Sequence, residues 1–152
     1  MKIETKNMQL NAVNERKCVQ ADYEFCYSLS KENMEPYFKL NLLEWDKNIF
    51  ERKFNFTKSK ILEYEGKRIG FYSYYLKKNY WYIEDIQLLQ QYQGKGLGKY
   101  IFRKIEGAVK KSNVKTIRLR ILEGNKAINI YKKYQFYVIK KDNSYILMEK
   151  KV

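Results

Sequence analysis

Residues 93–98, Gln93-Gly94-Lys95-Gly96-Leu97-Gly98, hold three of the seven glycines of this 152-residue chain. They separate a strand-like run that ends at Leu88 from a helical pattern. The apolar residues of that pattern recur every three or four positions, at Leu97, Ile101, Ile105 and Ala108. Glycines at such a junction let a ligand approach the backbone, and the free N–H groups at a helix start bind phosphate. The stretch therefore predicts a strand–loop–helix unit with a phosphate-binding loop.

Two common phosphate-binding loops do not fit these residues. A dinucleotide-binding fingerprint requires a glycine five positions after its first glycine. The residue at that distance from Gly94 is Lys99, and the one at that distance from Gly96 is Ile101. A nucleotide-triphosphate loop requires serine or threonine where Tyr100 stands. On these residues alone, a turn that only connects strand and helix stays an alternative.

The spacing of apolar residues elsewhere predicts further helices and strands. A strand is predicted at 8–13, a helix at 22–29 and the first turn of a second helix at Glu35-Pro36, where proline is tolerated. The later predicted elements are a helix at 46–54, an antiparallel meander of strands at 61–64, 69–76 and 80–88, a strand at 116–122, a helix at 126–134, and a hairpin of 136–139 with 145–149. We expect one α/β domain over residues 1–152, with a mixed, mostly antiparallel central sheet flanked by about four helices.

The chain carries 31 Lys and Arg against 17 Asp and Glu, a formal net charge of +14. Twelve basic and two acidic residues fall within 91–133, so most of the excess surrounds the glycine loop and predicts an anionic ligand there. Histidine is absent, and the only cysteines are Cys18 and Cys26, which excludes a histidine base, a disulfide framework and most zinc sites. We expect no metal ion, no membrane-spanning segment, and a soluble cytoplasmic protein with reduced thiols.

Two segments resemble the conserved motifs of the GNAT superfamily of N-acetyltransferases. The acetyl-CoA-binding signature of that family is Gln or Arg, two residues, Gly, one residue, then Gly or Ala. In this chain it reads Gln93, Gly96 and Gly98. Residues 125–136 resemble the second conserved block, Asn, two residues, Ala, three residues, Tyr, then a Gly-Phe pair, but Gln135 replaces the glycine, so we expect that turn to take another shape. The resemblance extends over residues 58–148 and implies a GNAT-like fold with acetyl-CoA as co-substrate.

The resemblance also implies where coenzyme A binds. In the family, backbone amides of the glycine loop hold the pyrophosphate, and the fourth strand pairs with the pantetheine arm. The pyrophosphate-binding positions carried over to this chain are Gln93, Gly94, Lys95, Gly96, Gly98 and Lys99. Ile86 and Leu88 correspond to the strand positions. Asn125 corresponds to an asparagine that contacts coenzyme A, and a plain helix cap is its alternative role.

The candidate catalytic residues are a tyrosine and two carboxylates. Tyr131 corresponds to the family's general acid, and a phenol with a pKa near ~10 can donate a proton at neutral pH. Core packing is its alternative role, and Tyr134 is the second candidate acid. Since histidine is absent, the candidate bases are Glu84 and Asp85. Neighbours in a strand point to opposite faces, so we expect only one of them to face a given pocket, and a solvent-exposed position is the alternative for either.

The motifs favour an acetyl-CoA-dependent N-acetyltransferase that moves the acetyl group to a primary amine by direct transfer in a ternary complex. We expect a small-molecule amine or a peptide N-terminus as acceptor, and a monomer or a homodimer. The positive charge disfavours a strongly cationic acceptor unless an acidic pocket is formed by Asp22, Glu24, Glu32, Glu35, Glu44 and Asp46.

Two other functions stay open. One is a basic nucleic-acid-binding module, which is less favoured because the charge centres on a loop suited to a small polyphosphate. The other is a GNAT fold that binds coenzyme A without activity, which burial of both Glu84 and Asp85 away from the cleft would favour. The strand tyrosines are better explained by cross-strand packing than by a substrate cage, and they are Tyr72, Tyr74, Tyr75, Tyr80 and Tyr82. Cys18 and Cys26 are expected to pack in the core.

Overall fold

A computed structural model describes residues 8–152 as a seven-stranded sheet with helices packed on both faces. The strands are β1 (Asn14–Lys17), β2 (Ser59–Tyr64), β3 (Lys67–Leu76), β4 (Trp81–Leu88), β5 (Thr116–Leu122), β6 (Tyr137–Asp142) and β7 (Tyr145–Lys151). The α-helices within these residues are α1 (Tyr23–Leu40), α2 (Lys47–Lys53), α3 (Leu97–Lys110) and α4 (Ala127–Lys133). This architecture confirms the predicted fold class. Among the helices of this part of the chain, none has the length and apolar character needed to cross a membrane.

The sheet is antiparallel except for one pair of strands. Its order is β1-β2-β3-β4-β5-β7-β6, and β2, β3 and β4 form the predicted meander. The exception is β4 with β5, which pair in parallel only over Trp81–Ile83 and Ile117–Leu119. Beyond those residues the two strands do not pair. The sheet therefore has a gap between residues 84–88 of β4 and residues 120–122 of β5.

The face of the sheet under α3 and α4 holds the larger core. Ile101 and Ile105 of α3 are fully buried there, as their helical spacing predicts, and so is Val109. Burial of each such side chain stabilises the fold by about 1.5–3 kcal/mol. This packing holds α3 against the sheet, with its first turn at the gap between β4 and β5.

The opposite face is packed mainly through aromatic side chains of α1 and α2. Phe50 of α2 lies among them, with its ring centroid 5.4 Å from that of Tyr27 and 6.0 Å from that of Trp45. Cys18 and Cys26 are buried in the same cluster as free thiols, which confirms their packing role. Burial raises the pKa of the Cys26 thiol, so this sulfur stays protonated at neutral pH.

A buried carboxylate anchors the start of α1. The two oxygens of Asp22 accept hydrogen bonds of 2.8 Å from Arg16, and one of them accepts another of 2.9 Å from Arg68. The backbone N–H of Val19 donates a further bond of 2.9 Å. These donors, with Arg16 first, hold the pKa of Asp22 well below its usual range although burial acts in the opposite direction. Because Arg16 belongs to β1 and Arg68 to β3, the cluster ties the helix to the sheet.

The first strand does not lie where the apolar spacing places it. Residues 8–13 contain a short 3-10 turn, Leu10–Ala12, and the strand begins at Asn14. β1 is a hydrophilic edge strand, Asn-Glu-Arg-Lys, with no fully buried side chain. Its backbone pairs with β2 without any alternation of apolar residues, so the sequence pattern carries no signal for it.

The prediction that a second helix begins at Glu35-Pro36 is also wrong, because α1 continues through Pro36. Side-chain hydrogen bonds before and after the proline attach this segment to the ends of the inner strands β4 and β5. Asn33 donates to the carbonyl of Leu88 at 3.0 Å, and Asn41 donates to the carbonyl of Glu123 at 2.9 Å. Tertiary contacts thus keep the helix intact where local sequence favours a break.

The turn after α4 keeps the backbone conformation that glycine favours. Gln135 has a φ of 71°, and the N–H of Phe136 donates to the carbonyl of Tyr131 at 3.0 Å to close the helix. The expectation that glutamine would change the turn is therefore wrong. A side chain in this left-handed region costs about 1 kcal/mol, and the fold absorbs that cost.

Candidate active site

A cavity of about 740 Å³ opens at the gap between β4 and β5. Its wall comes from both faces of the sheet, and we name its two parts after the helices that line them. The α3 side includes Ile86, Leu88, Gln93, Gly94, Gly98, Phe102, Asn125 and Tyr131. The α1 side includes Tyr37, Phe38, Trp45, Ile49, Phe50, Lys53, Glu84, Asp85 and Arg120. The described residues include no group of three or more side chains placed to hold a metal ion.

The glycine loop closes one end of the α3 side. Gly94 and Gly96 have φ angles of 73° and 89°, in the left-handed region that favours glycine, and Gly96 immediately precedes α3. Gly98 lies in the first turn of α3, where an added Cβ would meet no atom within 4 Å. The first N–H groups of α3 have no partner inside the helix, so this loop can bind an anion through its backbone.

Most of the predicted cofactor-binding residues meet at this cavity. Those that line it are Ile86, Leu88, Gln93, Gly94, Gly98 and Asn125. Those that lie outside its wall are Lys95, Gly96 and Lys99. Lys126, which the sequence patterns did not single out, lines the cavity beside Asn125. The Oδ1 atom of Asn125 accepts the N–H of Ala127 at 2.9 Å, so the side chain caps α4 while it faces the cavity.

The edge of β4 presents backbone groups to the gap. The N–H of Leu89 donates to the carbonyl of Ile69 in β3 at 2.9 Å. Because backbone groups alternate between the two edges of a strand, those of Ile86 and Leu88 point away from β3 and toward the gap. The Leu88 carbonyl already accepts hydrogen bonds from Asn33 at 3.0 Å and Gln93 at 3.1 Å. The groups of Ile86 and the N–H of Leu88 are therefore placed to pair with an extended ligand.

A bulge in β4 places both candidate bases on one face. Ser73 of β3 pairs with Asp85, and the next residue, Tyr74, pairs with Ile83. Glu84 therefore has no partner in β3. Ile83 and Ile86 pack in the core under α3. Between them, Glu84 and Asp85 both face the α1 side and line the cavity. The expectation that only one of the two faces a pocket is wrong, because the extra residue interrupts the alternation of side chains.

The environment of these carboxyl groups changes their acidity. Burial raises the pKa of Asp85 to about 7, and the charge of Glu84 adds to the rise, while a hydrogen bond from Gln87 opposes it. Burial also raises the pKa of Glu84, and the charge of Lys53 opposes that rise. A carboxylate whose pKa lies near 7 is suited to take up a proton at neutral pH.

Tyr131 faces the same gap from α4. Its ring packs edge-on against Phe102 at 5.6 Å and Phe136 at 5.9 Å. Burial, with the charge of Asp85 as a smaller cause, raises the pKa of its hydroxyl to about 12. Tyr131 therefore stays protonated at neutral pH and can donate a proton. Tyr134 packs against Phe102 at 4.7 Å and does not line the cavity.

The α1 side is the part of the site that the sequence patterns did not identify. Its apolar wall comes from α1, the following loop and α2, and includes Tyr37, Phe38, Trp45, Ile49 and Phe50. Its cations are Lys53 of α2 and Arg120 of β5. In the sequence these apolar residues recur at spacings typical of a buried helix face. Nothing in that spacing distinguishes a face that packs fully from one that leaves a cavity.

The acidic pocket for a cationic acceptor does not form. Of the six carboxylates considered for it, only Glu32 and Asp46 line the cavity. Asp46 caps α2 by accepting the N–H of Asn48 at 2.8 Å. Asp22 is buried in its arginine cluster, and Glu35 pairs with two lysines on the surface of α1. The strand tyrosines mostly pack in pairs on the sheet, and Tyr82 alone among the five lines the cavity.

Comparison with known proteins agrees with this geometry. A family model described as "Acetyltransferase (GNAT) family" matches residues 19–136. Mouse thialysine N-epsilon-acetyltransferase is 34% identical over 70 residues, which cover 42% of this chain and 41% of the mouse protein. The matched segment thus spans less than half the length of that curated relative.

Solved structures share the fold at lower identity. The paiA N-acetyltransferase of Thermoplasma acidophilum, in complex with coenzyme A, has a TM-score of 0.74 at 21% identity and covers 92% of this chain and 99% of its own. Arabidopsis thaliana Naa50, in complex with the bisubstrate analogue CoA-Ac-MVNAL, has a TM-score of 0.72 at 17% identity, with 93% and 99% covered. The family model spans most of the chain and the glycine loop of the structure lies within it; the chain belongs to the acetyltransferase (GNAT) family.

Proposed function

We propose that the protein transfers the acetyl group of acetyl-CoA directly to a primary amine in a ternary complex. The observation that carries this proposal is the cavity that passes through the sheet at the gap between β4 and β5. An anion-binding loop and an acid, Tyr131, lie on its α3 side. Two carboxylates, Glu84 and Asp85, lie on its α1 side.

The α3 side suits the coenzyme. The backbone of Gly94 and Gly98 would hold the pyrophosphate, and the free groups of Ile86 and Leu88 would pair with the pantetheine arm like an added strand. This arm would extend the β4 edge where β5 diverges, so the thioester would reach the centre of the gap. Lys95 and Lys99 add positive charge beside the loop although they lie outside the cavity wall.

The catalytic roles follow from the acidity of the groups. Asp85, with Glu84 beside it, takes up the proton of the acceptor ammonium, directly or through a water molecule. The neutral nitrogen attacks the thioester carbon, its bond to carbon forms and the carbon–sulfur bond breaks. Tyr131 donates its proton to the departing thiolate. The nitrogen, positively charged after the attack, loses a second proton, which restores the tyrosine through solvent, and Asp85 releases the first proton to solvent.

Two measurements test this function. A thermal shift with acetyl-CoA tests binding, since a ligand at 100 times its Kd stabilises by about 2.7 kcal/mol. Release of free thiol from acetyl-CoA tests transfer, with a panel of amines that includes thialysine and the peptide Met-Val-Asn-Ala-Leu. Binding without thiol release from any acceptor would favour a GNAT fold that binds coenzyme A without activity.

The chain offers a matched pair of variants for the binding step. An added Cβ at Gly98 has open space around it, so we expect Gly98→Leu to fill the loop and weaken acetyl-CoA binding by about 100-fold, equivalent to about 2.7 kcal/mol. Gly107→Leu is the control, because Gly107 has equally open space on the same helix and does not line the cavity. Equal affinity of Gly98→Leu and the wild type would remove the loop from the binding site.

A further inference from the structure

Four arginines lie in the strands of the sheet, and three of them bind a carboxylate within residues 8–152. Arg16 and Arg68 bind Asp22, and Arg118 binds Glu149 at 2.7 Å. The fourth, Arg120 of β5, forms no ion pair with any described carboxylate. It is also the one of the four that lines the cavity.

Arg120 is held in place without a carboxylate. Its Cζ atom lies 4.6 Å from the ring centroid of Tyr145, across the β5–β7 pair. Stacking on an aromatic ring orients the flat guanidinium and leaves the N–H groups at its edge available for hydrogen bonds, one of which the Tyr82 hydroxyl approaches. Tyr145 lines the cavity as well, so this stacked pair belongs to the wall of the site.

Lys53 provides a second cation on the same side. It ends α2 and lines the cavity, and among the described residues it forms no ion pair. The positive charges of Lys53 and Arg120 both lower the pKa of Glu84, against the effect of its burial. Lys77 has the same effect on Glu84 but lies outside the cavity wall, whereas Lys53 and Arg120 line the same cavity as the two carboxylates of β4.

We propose that the acceptor carries a carboxylate as well as its amine, with Arg120 and Lys53 binding the carboxylate while Glu84 and Asp85 receive the amine. The apolar wall formed by Trp45, Phe50 and their neighbours holds the hydrocarbon part between the two charges. The acceptor is thus an amino acid or a related amino carboxylate, and a polyamine would place its extra positive charge beside Arg120 and Lys53. This assignment rests on the proposed function and specifies its substrate class.

The test uses amines that differ only in the carboxylate: L-lysine with cadaverine, L-phenylalanine with 2-phenylethylamine, and L-methionine with 3-(methylthio)propylamine. A charge-assisted pair with an arginine predicts that the better carboxylate-bearing substrates exceed their decarboxylated partners by at least about 10-fold in kcat/KM. Arg120→Gln should lower the ratio of the two kcat/KM values by about 10-fold. The cause should be a higher KM for the amino carboxylate, with little change in the constants for the decarboxylated amine. Lys53→Met should lower the ratio by a smaller factor.

The control is Arg52→Gln, which removes one charge at the position before Lys53 but outside the cavity wall. It should keep the preference for carboxylates. Equal or better turnover of the decarboxylated amines by the wild type overturns the proposal. A preference that survives in the Arg120→Gln, Lys53→Met double variant also overturns it.

A binding measurement separates this proposal from the proposed function. Thermal shifts of the protein with each amine are recorded with and without saturating coenzyme A, so that they do not depend on turnover. Shifts produced by the amino carboxylates, absent with the decarboxylated amines and lost in Arg120→Gln, support the carboxylate site even if no acetyl transfer occurs. No shift with any amino carboxylate, in a protein that acetylates the decarboxylated amines, overturns the carboxylate site and leaves acetyl transfer standing.

Discussion

The two sides of the cavity are built in different ways. The α3 side comes from two short segments, residues 86–102 and 125–131, and offers mainly backbone groups and one tyrosine. The α1 side gathers side chains from α1, α2, β4, β5 and β7, which are far apart in the chain. A ligand bound by backbone groups needs a local conformation, which a short motif can encode. A ligand bound by side chains needs the whole fold to bring them together.

β4 is where the two sides meet. Its edge presents the backbone of Ile86 and Leu88 to the α3 side, while its bulge turns Glu84 and Asp85 toward the α1 side. In the proposed ternary complex the strand would separate a surface for the coenzyme from a surface for the acceptor, with the candidate base next to the thioester. The comparison predicts that variants on the two sides change different kinetic constants.

The largest effect is expected on the α3 side, from Tyr131→Phe. Removal of a general acid should lower kcat by about 100-fold or more. The affinity for acetyl-CoA should change little, because only the hydroxyl is removed and the ring contacts with Phe102 and Phe136 remain. Steady-state kinetics and acetyl-CoA titration measure the two quantities. A similar loss in Tyr134→Phe with full activity in Tyr131→Phe would transfer the role to Tyr134.

The next effect is expected on the α1 side, from Asp85→Asn. With a pKa near 7, the wild-type kcat/KM should rise as pH increases through about 7, because the carboxylate must be ionised to accept a proton. The variant should lose about 10–100-fold at pH 7.5 and lose that inflection. An unchanged pH profile would assign the inflection to another group, and Glu84→Gln then identifies whether Glu84 is that group.

Asp85→Asn should also change how the stability of the protein depends on pH. A carboxyl group whose pKa is raised on folding destabilises the protein as pH rises from the unfolded value, near ~3.9, to the folded value. The variant should therefore melt a few degrees above the wild type at pH 8 and at the same temperature at pH 4. Melting curves at the two pH values measure the difference.

A smaller effect is expected from Asp22→Asn, which loosens the anchor of the α1 side. Breaking a buried pair costs several kcal/mol, and the partial exposure of Arg16 and Arg68 reduces our expectation to about 2 kcal/mol at pH 7. Because the pKa of Asp22 is depressed, this stability is present above about pH 4 and is lost as pH falls below it. Acetyl-CoA affinity should be kept while KM for the acceptor rises.

The control for Asp22→Asn is Glu35→Gln, which removes exposed pairs with Lys31 and Lys39 on the same helix. We expect it to change the free energy of unfolding by less than about 0.5 kcal/mol. Urea unfolding at pH 7 and pH 3 measures both variants. A loss in Asp22→Asn that is as large at pH 3 as at pH 7 would contradict the role assigned to the ionised carboxylate.

The smallest effect is expected at the end of the helix that carries Tyr131. Gln135→Gly relieves a side chain in the left-handed region but makes the unfolded chain more flexible, so we expect a net gain of about 0.5 kcal/mol. Kinetic constants should not change, because the backbone already has the conformation that glycine favours. A destabilised Gln135→Gly would show that the glutamine side chain contributes contacts that offset its strain.

Much of the fold and of the α3 side could be predicted from sequence, and the failures have identifiable causes. The spacing of Ile101 and Ile105 correctly predicts the buried face of α3. The bulge at Glu84 leaves no mark in the sequence, because it depends on the register of β3 against β4. Pro36 signals a helix start, yet hydrogen bonds from Asn33 and Asn41 to distant residues keep α1 continuous.

The charged residues show the same difference between what the sequence determines and what depends on tertiary structure. The sequence determined that the excess of +10 within residues 91–133 surrounds a glycine loop, since charge and loop are both local properties of the chain. It also determined the order of strands and helices from α2 onward, because periodic burial of apolar residues needs no more than the neighbouring turns or pleats. Tertiary structure alone decided which carboxylates face the cavity, and that Arg120 lines it without an ion pair to any carboxylate of residues 8–152 while Arg16, Arg68 and Arg118 are paired. Pairing and burial depend on contacts between residues far apart in sequence, and those contacts exist only once the sheet has formed.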